Sequence, residues 1–256
     1  MEPNLLLDNY LKTLGLRAFR EHYCQVAEDA ARAQLPYDQF LLALAEQEVQ
    51  RRDTNRRSEM IKQARFPAHK ELADFNFARL EDFPTQRLLQ LVEDASYLKR
   101  AEPILMVGHP GLGKTHLAIA LGLAACRVGQ KVRFYNAAAL VNDLTLAQEE
   151  HRLQRFITSL LKHHLLILDE LGFIPFSPSG AQLLFQLCSA LHERVALLVT
   201  TNLAFADWTQ VFGDERLTGA LLDRLTYRAH IFEFRGESYR FRARMAQQTK
   251  EVLSEA

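Results

Sequence analysis

A glycine-rich stretch near the middle of the chain has residues whose types and spacing suit phosphate binding. It fits the pattern G-x-x-x-x-G-K-[ST] and reads Gly108-His109-Pro110-Gly111-Leu112-Gly113-Lys114-Thr115. The glycines permit a tight turn whose backbone N–H groups approach phosphate oxygens. Lys114 would contact the β- and γ-phosphates, and Thr115 would offer its hydroxyl to Mg²⁺. The stretch therefore predicts a loop that binds a nucleoside triphosphate.

The flanks of this loop have the context that the motif requires. The apolar run 104–107 suits a buried strand, and a helix follows with Leu117, Leu121, Ala124 and Val128 on one side. The positive end of that helix would point at the phosphates. A chance glycine-rich turn is the alternative, and it rarely has both flanks right. The predicted ligand-binding set runs from Gly108 to His116.

A second strand ends in two acids. The run 165–168 is apolar, as in a strand buried on both faces, and Asp169-Glu170 follow it. Asp169 would hold the Mg²⁺ shell together with Thr115, and Glu170 would activate a water molecule as general base. The alternative without a function is that the two acids simply end the strand. The phosphate loop upstream makes this a poor explanation of the pair.

A third strand, 195–202, ends in a polar cluster. Asn202 would hydrogen-bond the γ-phosphate and the attacking water, or it would simply form an Asx-turn. In a parallel sheet the carboxyl ends of the strands share one edge, which is where ligands bind. The sequence therefore predicts that Asp169, Glu170 and Asn202 meet the phosphate loop at that edge.

The remaining elements alternate between strand and helix patterns, which predicts an α/β fold with a parallel five-stranded sheet. We expect a small all-helical N-terminal domain at 1–65 and the nucleotide-binding domain at 66–256. Within the second domain the patterns predict a linker with aromatic anchors at 72–77, strands at 131–135 and 228–234, helices at 85–99, 137–162, 180–193 and 215–225, and a short tail from 236.

Composition sets outer limits on function. The chain has 256 residues, is 48% hydrophobic and has a formal net charge of +0, which argues against a globally basic nucleic-acid coat protein. The three cysteines are far apart, so reduced thiols are a better interpretation than disulfides or zinc. No apolar run approaches the ~18 residues of a membrane span, and the start is no signal peptide. We expect a cytoplasmic protein without a membrane partner.

Several short sequence motifs in the chain resemble those of one protein family. The chain lacks the motif Asn-Lys-x-Asp, which argues against a GTPase, and the motif Leu-Ser-Gly-Gly-Gln, which argues against a transporter ATPase. The residues after Asp169-Glu170 also differ from those found at this place in common helicases. The phosphate loop, the Asp-Glu strand and the Thr-Thr-Asn strand together resemble AAA+ ATPases. Within these, the chain is similar over about residues 4–250 to the IstB family of insertion-sequence proteins, and to their cousins the DnaC-type helicase loaders, through GHPGLGKTHLAIALG, LLILDELGFIP, LLVTTN and LLDRLTYRAHIFEFRGESYR.

The resemblance implies a helper ATPase of a transposase. Such proteins hydrolyse ATP with Mg²⁺, bind duplex DNA with little sequence preference, and assemble with ATP into oligomers that prepare a target site. A DnaC-like helicase loader is the alternative, distinguished by its partner and a preference for single strands. A small-molecule kinase is a third possibility, although nothing in the sequence supplies an acceptor pocket.

The resemblance also implies residues that spacing alone does not. An arginine before the fifth strand acts on the nucleotide of a neighbouring copy in AAA+ proteins, and Arg224 matches that position. Arg240 best matches the second sensor arginine, with Arg235 and Arg242 as competitors. Only residues 235–256 follow the core, so we expect a reduced lid and a nucleotide enclosed at a subunit interface.

DNA contacts have two candidate locations. One is the region 137–162, with Arg152, Arg155 and Lys162. The other is the basic end of the N-terminal helices, where six basic and two acidic residues lie between 51 and 65: Arg51, Arg52, Asp53, Arg56, Arg57, Glu59, Lys62 and Arg65. A solvated helix face explains such a run as well as a phosphate-binding surface does. The adjacent His163 and His164 would point to opposite sides of the chain, which makes a metal pair improbable.

Overall fold

The computed structural model describes residues 4–238, and the chain divides into two compact units between Glu59 and Met60. Three helices form the N-terminal region, which was expected to be all-helical: α1 (Leu5–Thr13), α2 (Arg17–Arg32) and α3 (Tyr37–Ala64). The division falls inside α3, where residues 52–59 are exposed, and the predicted domain boundary after residue 65 stays a prediction. No helix within 4–238 has the length and apolar composition that crossing a bilayer requires.

The N-terminal unit has a small core. Leu11, Tyr23 and Leu44, one from each helix, are buried together, while Leu5 and Leu14 of the apolar cluster at the start of the chain remain exposed. Asn4 caps α1, since its side chain accepts hydrogen bonds from the N–H groups of Leu6 and Leu7. Three buried side chains, with a few half-buried ones around them, make a limited core, so polar interactions must contribute to holding these helices.

One buried carboxylate joins the three helices. Glu48 of α3 accepts a hydrogen bond from the N–H of Ala18, at 2.7 Å, and so caps α2, which has no side-chain cap of its own. Its other oxygen accepts from Nε of Arg52 at 2.7 Å, and Arg52 also donates to the carbonyl of Gly15 at 3.3 Å. Burial acts to raise the pKa of Glu48, but the Ala18 N–H and Arg52 outweigh it and lower that pKa.

The second unit contains the predicted five-stranded sheet. Its strands are β1 (Ile104–Gly108), β2 (Val132–Asn136), β3 (Leu165–Leu171), β4 (Ala196–Thr201) and β5 (His230–Phe234). They lie in the order β2-β3-β4-β1-β5, and every pairing is parallel. The residues of β4 and the apolar part of β3 are buried because helices cover both faces of the sheet. The predicted α/β fold class is confirmed.

Eight helices accompany this sheet in the described part of the second unit: α4 (Thr85–Asp94), α5 (Ser96–Lys99), α6 (Lys114–Arg127), α7 (Ala137–Glu149), α8 (Leu153–Leu160), α9 (Pro178–Leu191), α10 (Thr209–Phe212) and α11 (Glu215–Thr226). The single helix predicted at 85–99 was wrong, because it is divided into α4 and α5, and the helical region predicted at 137–162 contains two helices, α7 and α8. Ala95, at φ 49°, and His151, at φ 54°, adopt left-handed conformations that a helix cannot continue through.

Two cores lie on the two faces of the sheet. One joins α7 to α11 with β3 and β4 and includes Trp208, and the other packs α4, α5 and α6 against β1 and β5. Burial raises the pKa of the Cys126 thiol to about 11 and that of Cys188 to about 12, so both are poor nucleophiles. Cys24 is half-buried in the N-terminal unit, and all three cysteines are free thiols.

Candidate nucleotide-binding site

The phosphate loop connects β1 to α6 at the carboxyl edge of the sheet. Gly113, at φ 90°, caps α6, so the first N–H groups of this helix point into the loop. A Cβ at Gly113 would lie 2.5 Å from Cε2 of Phe75, and Gly108 packs directly on the backbone of Phe234. Both positions therefore require glycine, for the backbone conformation at Gly113 and for close packing at each.

Lys114 is buried inside this loop. Its Nζ donates hydrogen bonds to the carbonyl oxygens of Gly108, at 2.5 Å, and His109, at 2.8 Å. The contacts hold the ammonium group at the centre of the turn, among the N–H groups that would bind phosphate. Gly108 and His109, predicted as ligand-binding residues, thus position the lysine through their carbonyls, whereas residues from Pro110 to His116 line the adjoining cavity.

The predicted metal ligands Thr115 and Asp169 are in contact. Oγ1 of Thr115 donates to Oδ1 of Asp169 at 2.8 Å, and Oγ1 of Thr200 donates to the same oxygen at 2.6 Å. Neighbouring oxygen ligands of an octahedral Mg²⁺ lie about 2.9 Å apart, because each Mg–O bond is about 2.05 Å. The hydroxyl of Thr115 and the carboxylate of Asp169 therefore fit Mg²⁺ in both chemistry and spacing, and Thr200 fixes the carboxylate.

Glu170 points away from its buried neighbours because β3 is bulged here. The register with β4 shifts between Leu168 and Leu171, and Glu170 adopts φ 60°, which is rare for a residue with a side chain. Its N–H donates to Oγ1 of Thr200 at 2.9 Å, which stabilises the bulge. As a result Asp169 is buried beside Thr115, while the Glu170 carboxylate is exposed at the cavity.

Asn136 is a site residue that the sequence reasoning missed. Its Nδ2 donates to Oε2 of Glu170 at 3.0 Å, and its Oδ1 caps α7 by accepting from the N–H of Ala138 at 3.1 Å. The predicted strand stopped at Tyr135, one residue too early. A polar residue between a strand and a helix, in register with Asp169, was the signal that could have identified it.

Asn202 lies at the cavity as predicted. It follows β4 and lines the cavity beside Glu170, together with Thr200 and Thr201. The Thr201 hydroxyl accepts from the N–H of Leu203 at 3.1 Å, which turns the chain after the strand and directs Asn202 to this edge. Amide and carboxylate groups of Asn202 and Glu170 are thus brought to one side of the cavity.

The cavity has a volume of about 760 Å³, and one wall was not predicted from the sequence. Residues 67–80 form this wall, which includes the linker with aromatic anchors predicted at 72–77, and we call them the strap. The Phe75 ring lies 5.2 Å from the ring of His116, and Nε2 of His116 is 2.8 Å from the carbonyl oxygen of Glu71. A nucleoside attached to phosphates in the loop would extend toward the strap, because the strap borders the first turn of α6.

Arg224 is not part of its own cavity. It lies in the last turn of α11, where it donates to the carbonyl of Ala220 at 2.7 Å and places its guanidinium carbon 4.8 Å from the centre of the Phe185 ring. The chain then enters β5 at His230, which is in register with the first residue of β1. The last turn of α11 therefore leads to the edge of the sheet opposite the phosphate loop.

The predicted second sensor cannot be placed. Arg240 and its competitor Arg242 lie outside the described residues. Arg235 lies within them and forms an ion pair with Glu233 at 2.5 Å, on the exposed surface after β5.

The predicted DNA-contact residues fall into paired and unpaired groups. Arg51 is paired with Glu21, Arg52 with Glu48, and Arg152 with Glu150. The remaining predicted basic residues are exposed and, within 4–238, have no ion-pair partner: Arg56, Arg57, Lys62, Arg65, Arg155 and Lys162. His163 and His164 make separate contacts, with the carbonyl of Leu160 and the N–H of Lys131.

Comparison with known proteins agrees with this geometry. The sequence matches the family described as IstB-like ATP binding protein over residues 9–247. It is 34% identical, over 96% of this chain and 97% of the relative, to a protein of Geobacillus stearothermophilus named for ATP binding in insertion sequence IS5376. A Pseudomonas aeruginosa protein, named likewise for insertion sequence IS21, is 35% identical over 92% of this chain and 89% of its own length.

A solved structure shares the fold. The DnaC helicase loader superposes with a TM-score of 0.50 and 19% identity, covering 68% of this chain and 98% of the loader. This likeness shows a shared fold and no more. The family match spans nearly the whole sequence and includes every site residue described above, so the chain belongs to the IstB-like ATP-binding proteins of insertion sequences.

Proposed function

We propose that this protein is an ATP-hydrolysing assembly factor that binds duplex DNA and serves the transposase of an insertion sequence. The observation that carries the proposal is the convergence of Lys114, Thr115, Asp169, Glu170 and Asn202 at one edge of the sheet. The names of the relatives, which refer to ATP binding in insertion sequences, support the ligand and the genetic context.

The residues of the cavity suit hydrolysis of the terminal phosphate. Glu170 takes a proton from a water molecule, whose oxygen then forms a bond to the γ-phosphorus while the bond to the bridging oxygen breaks, leaving ADP and phosphate. Asn202 orients the water, and Lys114 balances phosphate charge. Mg²⁺, when held by Thr115 and Asp169, would neutralise charge on the transferring group.

This scheme needs a second copy of the chain. Within one copy, Arg224 is held against Phe185 and does not line the cavity of that copy. An arginine brought by a neighbouring copy would stabilise the charge that develops on the phosphate. Assembly and hydrolysis would then depend on each other. The unpaired basic residues Arg56, Arg57 and Arg155 would supply the phosphate contacts of sequence-independent DNA binding.

The test measures ATP and DNA together. Binding of a fluorescent duplex should tighten with Mg·ATP, show little sequence dependence and weaken steeply with salt, and sedimentation velocity should show larger species under the same conditions. The Lys114→Ala protein is the control, because it retains the DNA surface and lacks the phosphate contact. If Mg·ATP changed neither the affinity for duplex DNA nor the particle size, the proposal would be refuted.

The protein that binds this chain distinguishes the two candidate functions, transposase helper and helicase loader. The shared fold with a DnaC helicase loader makes helicase loading the second candidate, but that likeness shows the fold alone, whereas the insertion-sequence relatives are 34% and 35% identical. Affinity capture with the ATP-loaded protein should retain the transposase of the same insertion sequence. Retention of a replicative helicase instead, with preference for single-stranded DNA, would favour the loader.

A further inference from the structure

Two large apolar side chains stand exposed beside the cavity. Phe173 and Ile174, in the loop after β3, are 67% and 56% exposed. The loop is nevertheless anchored at both ends. Gly172 packs against Leu203, and Phe176 donates its N–H to the carbonyl of Val211 at 2.9 Å while its ring lies 5.6 Å from that of Phe212. The loop is thus held so that its apolar tip is presented to solvent.

The cavity side that Phe173 lines is short of positive charge. Phe173, Glu170 and Asn202 form this side, next to the Asp169 carboxylate. The basic side chains that line the cavity within residues 4–238 all belong to the strap or to the phosphate loop and its helix, namely Lys70, Arg79, Lys114 and His116. A bound triphosphate would add negative charge to a side that already has two carboxylates, and Mg²⁺ held by Thr115 and Asp169 would neutralise only part of it. A cationic surface is therefore the complementary occupant.

The same chain has a surface with that chemistry elsewhere. Arg224 lies over the half-buried Phe185 ring, and Arg228 lies 5.2 Å from the centre of the Tyr227 ring, which is itself exposed. Arginine and aromatic side chains together are the composition typical of binding hot spots. We call Phe185, Arg224, Tyr227 and Arg228 the arginine surface.

We propose that Phe173 and Ile174 are the anchor by which one copy of this chain docks on the arginine surface of the next copy. The inference rests on the proposed function and deepens it, because docking there would carry Arg224 of the second copy to the charge-deficient side of the cavity. The two surfaces differ, so the contact is heterologous and continues from copy to copy.

The experiment uses two full-length variants with opposite defects. The Phe173→Ser/Ile174→Ser protein has lost the anchor and keeps the arginine surface, while the Tyr227→Ser protein has the reverse defect. Each alone should assemble at least about tenfold more weakly with Mg²⁺ and a non-hydrolysable ATP analogue, measured by sedimentation velocity. An equimolar mixture should form dimers and nothing larger, through the one intact pair of surfaces. Val128→Ser, which removes an equally exposed apolar side chain elsewhere, should assemble like the unaltered chain.

The possible failures are distinguishable. If the unaltered chain assembles with ATP and the Phe173→Ser/Ile174→Ser protein does so equally well, the anchor is refuted and the proposed function stands. If that variant assembles normally but loses duplex or transposase binding, the loop contacts that partner and the inference is again wrong. If the unaltered chain does not assemble, the proposed function fails and this inference fails with it.

Discussion

The side-chain amide of Asn136 donates a hydrogen bond to the carboxylate of Glu170, at 3.0 Å, while the other end of the same amide caps α7. The proposed catalytic base is therefore held by a residue that also begins a helix. The Asn136 amide occupies Oε2 of Glu170, so that oxygen is not available to accept a proton from water. We therefore expect this hydrogen bond to slow catalysis.

Replacing Asn136 should separate these two tasks. Asn136→Ser keeps a capping oxygen and loses the amide donor, whereas Asn136→Ala loses both. We expect DNA-independent kcat to rise about fivefold in both proteins with KM unchanged, which corresponds to a hydrogen bond of about 1 kcal/mol. Only Asn136→Ala should also lose about 1 kcal/mol of unfolding free energy. A fall of kcat in both would mean that Asn136 positions Glu170 instead of restraining it.

Glu170→Gln should separate binding from hydrolysis. The amide keeps the size of the side chain but cannot accept a proton, so turnover should fall by about 10²- to 10⁴-fold with ATP affinity nearly unchanged. Lys114→Ala is the matched comparison, and it should lose ATP binding itself because the phosphate contact is gone. Binding is measured by titration calorimetry and turnover by phosphate release. A Glu170→Gln protein with unimpaired turnover would exclude Glu170 as the base.

Arg224→Ala should bind ATP normally and hydrolyse it poorly, by a factor on the order of 10³, because the guanidinium acts on a neighbouring copy. Mixing Arg224→Ala with Lys114→Ala should restore part of the activity, since the intact cavity of one protein meets the intact arginine of the other. Titrating one variant into the other while following phosphate release tests this. Two inactive proteins that stay inactive when mixed would argue against action between copies.

Glu48→Ala should destabilise the N-terminal helices by about 1–3 kcal/mol, because it removes the α2 cap and leaves Arg52 without its partner. Because the pKa of Glu48 is lower in the folded chain than in the unfolded one, its stabilisation is complete above the unfolded value of about 4.3 and is lost as pH falls through the folded value. Chemical denaturation between pH 3 and 7 should show this loss in the unaltered protein and not in Glu48→Gln. Equal acid sensitivity of both would exclude Glu48 as the cause.

The sheet and most of the site were predictable because their signals are local. A buried strand, a glycine-rich turn and a helix pattern identify the phosphate loop, and two acids after an apolar run identify Asp169 and Glu170. That the first of these is buried and the second exposed was not predictable, because a bulge in the β3–β4 pairing sets their directions.

Features that depend on packing between distant segments could not be predicted from the sequence. The strap has no motif, and its place as a cavity wall follows from the contact of Phe75 with Gly113 and His116, some forty residues away. The basic run in α3 did not reveal that Arg51 pairs with Glu21 of α2. This ion pair depends on helix packing, whereas the pair of Arg52 with Glu48, four residues earlier in the same helix, follows helical spacing.

The position of Arg224 toward the edge of the sheet opposite the phosphate loop has an arithmetic result. If copies follow one another head to tail, an open row of N copies contains N − 1 finished catalytic centres, with an idle cavity at one terminus and an idle arginine at the other. Turnover per copy would then climb with row length and level off, whereas closure into a ring would make every centre equivalent at once.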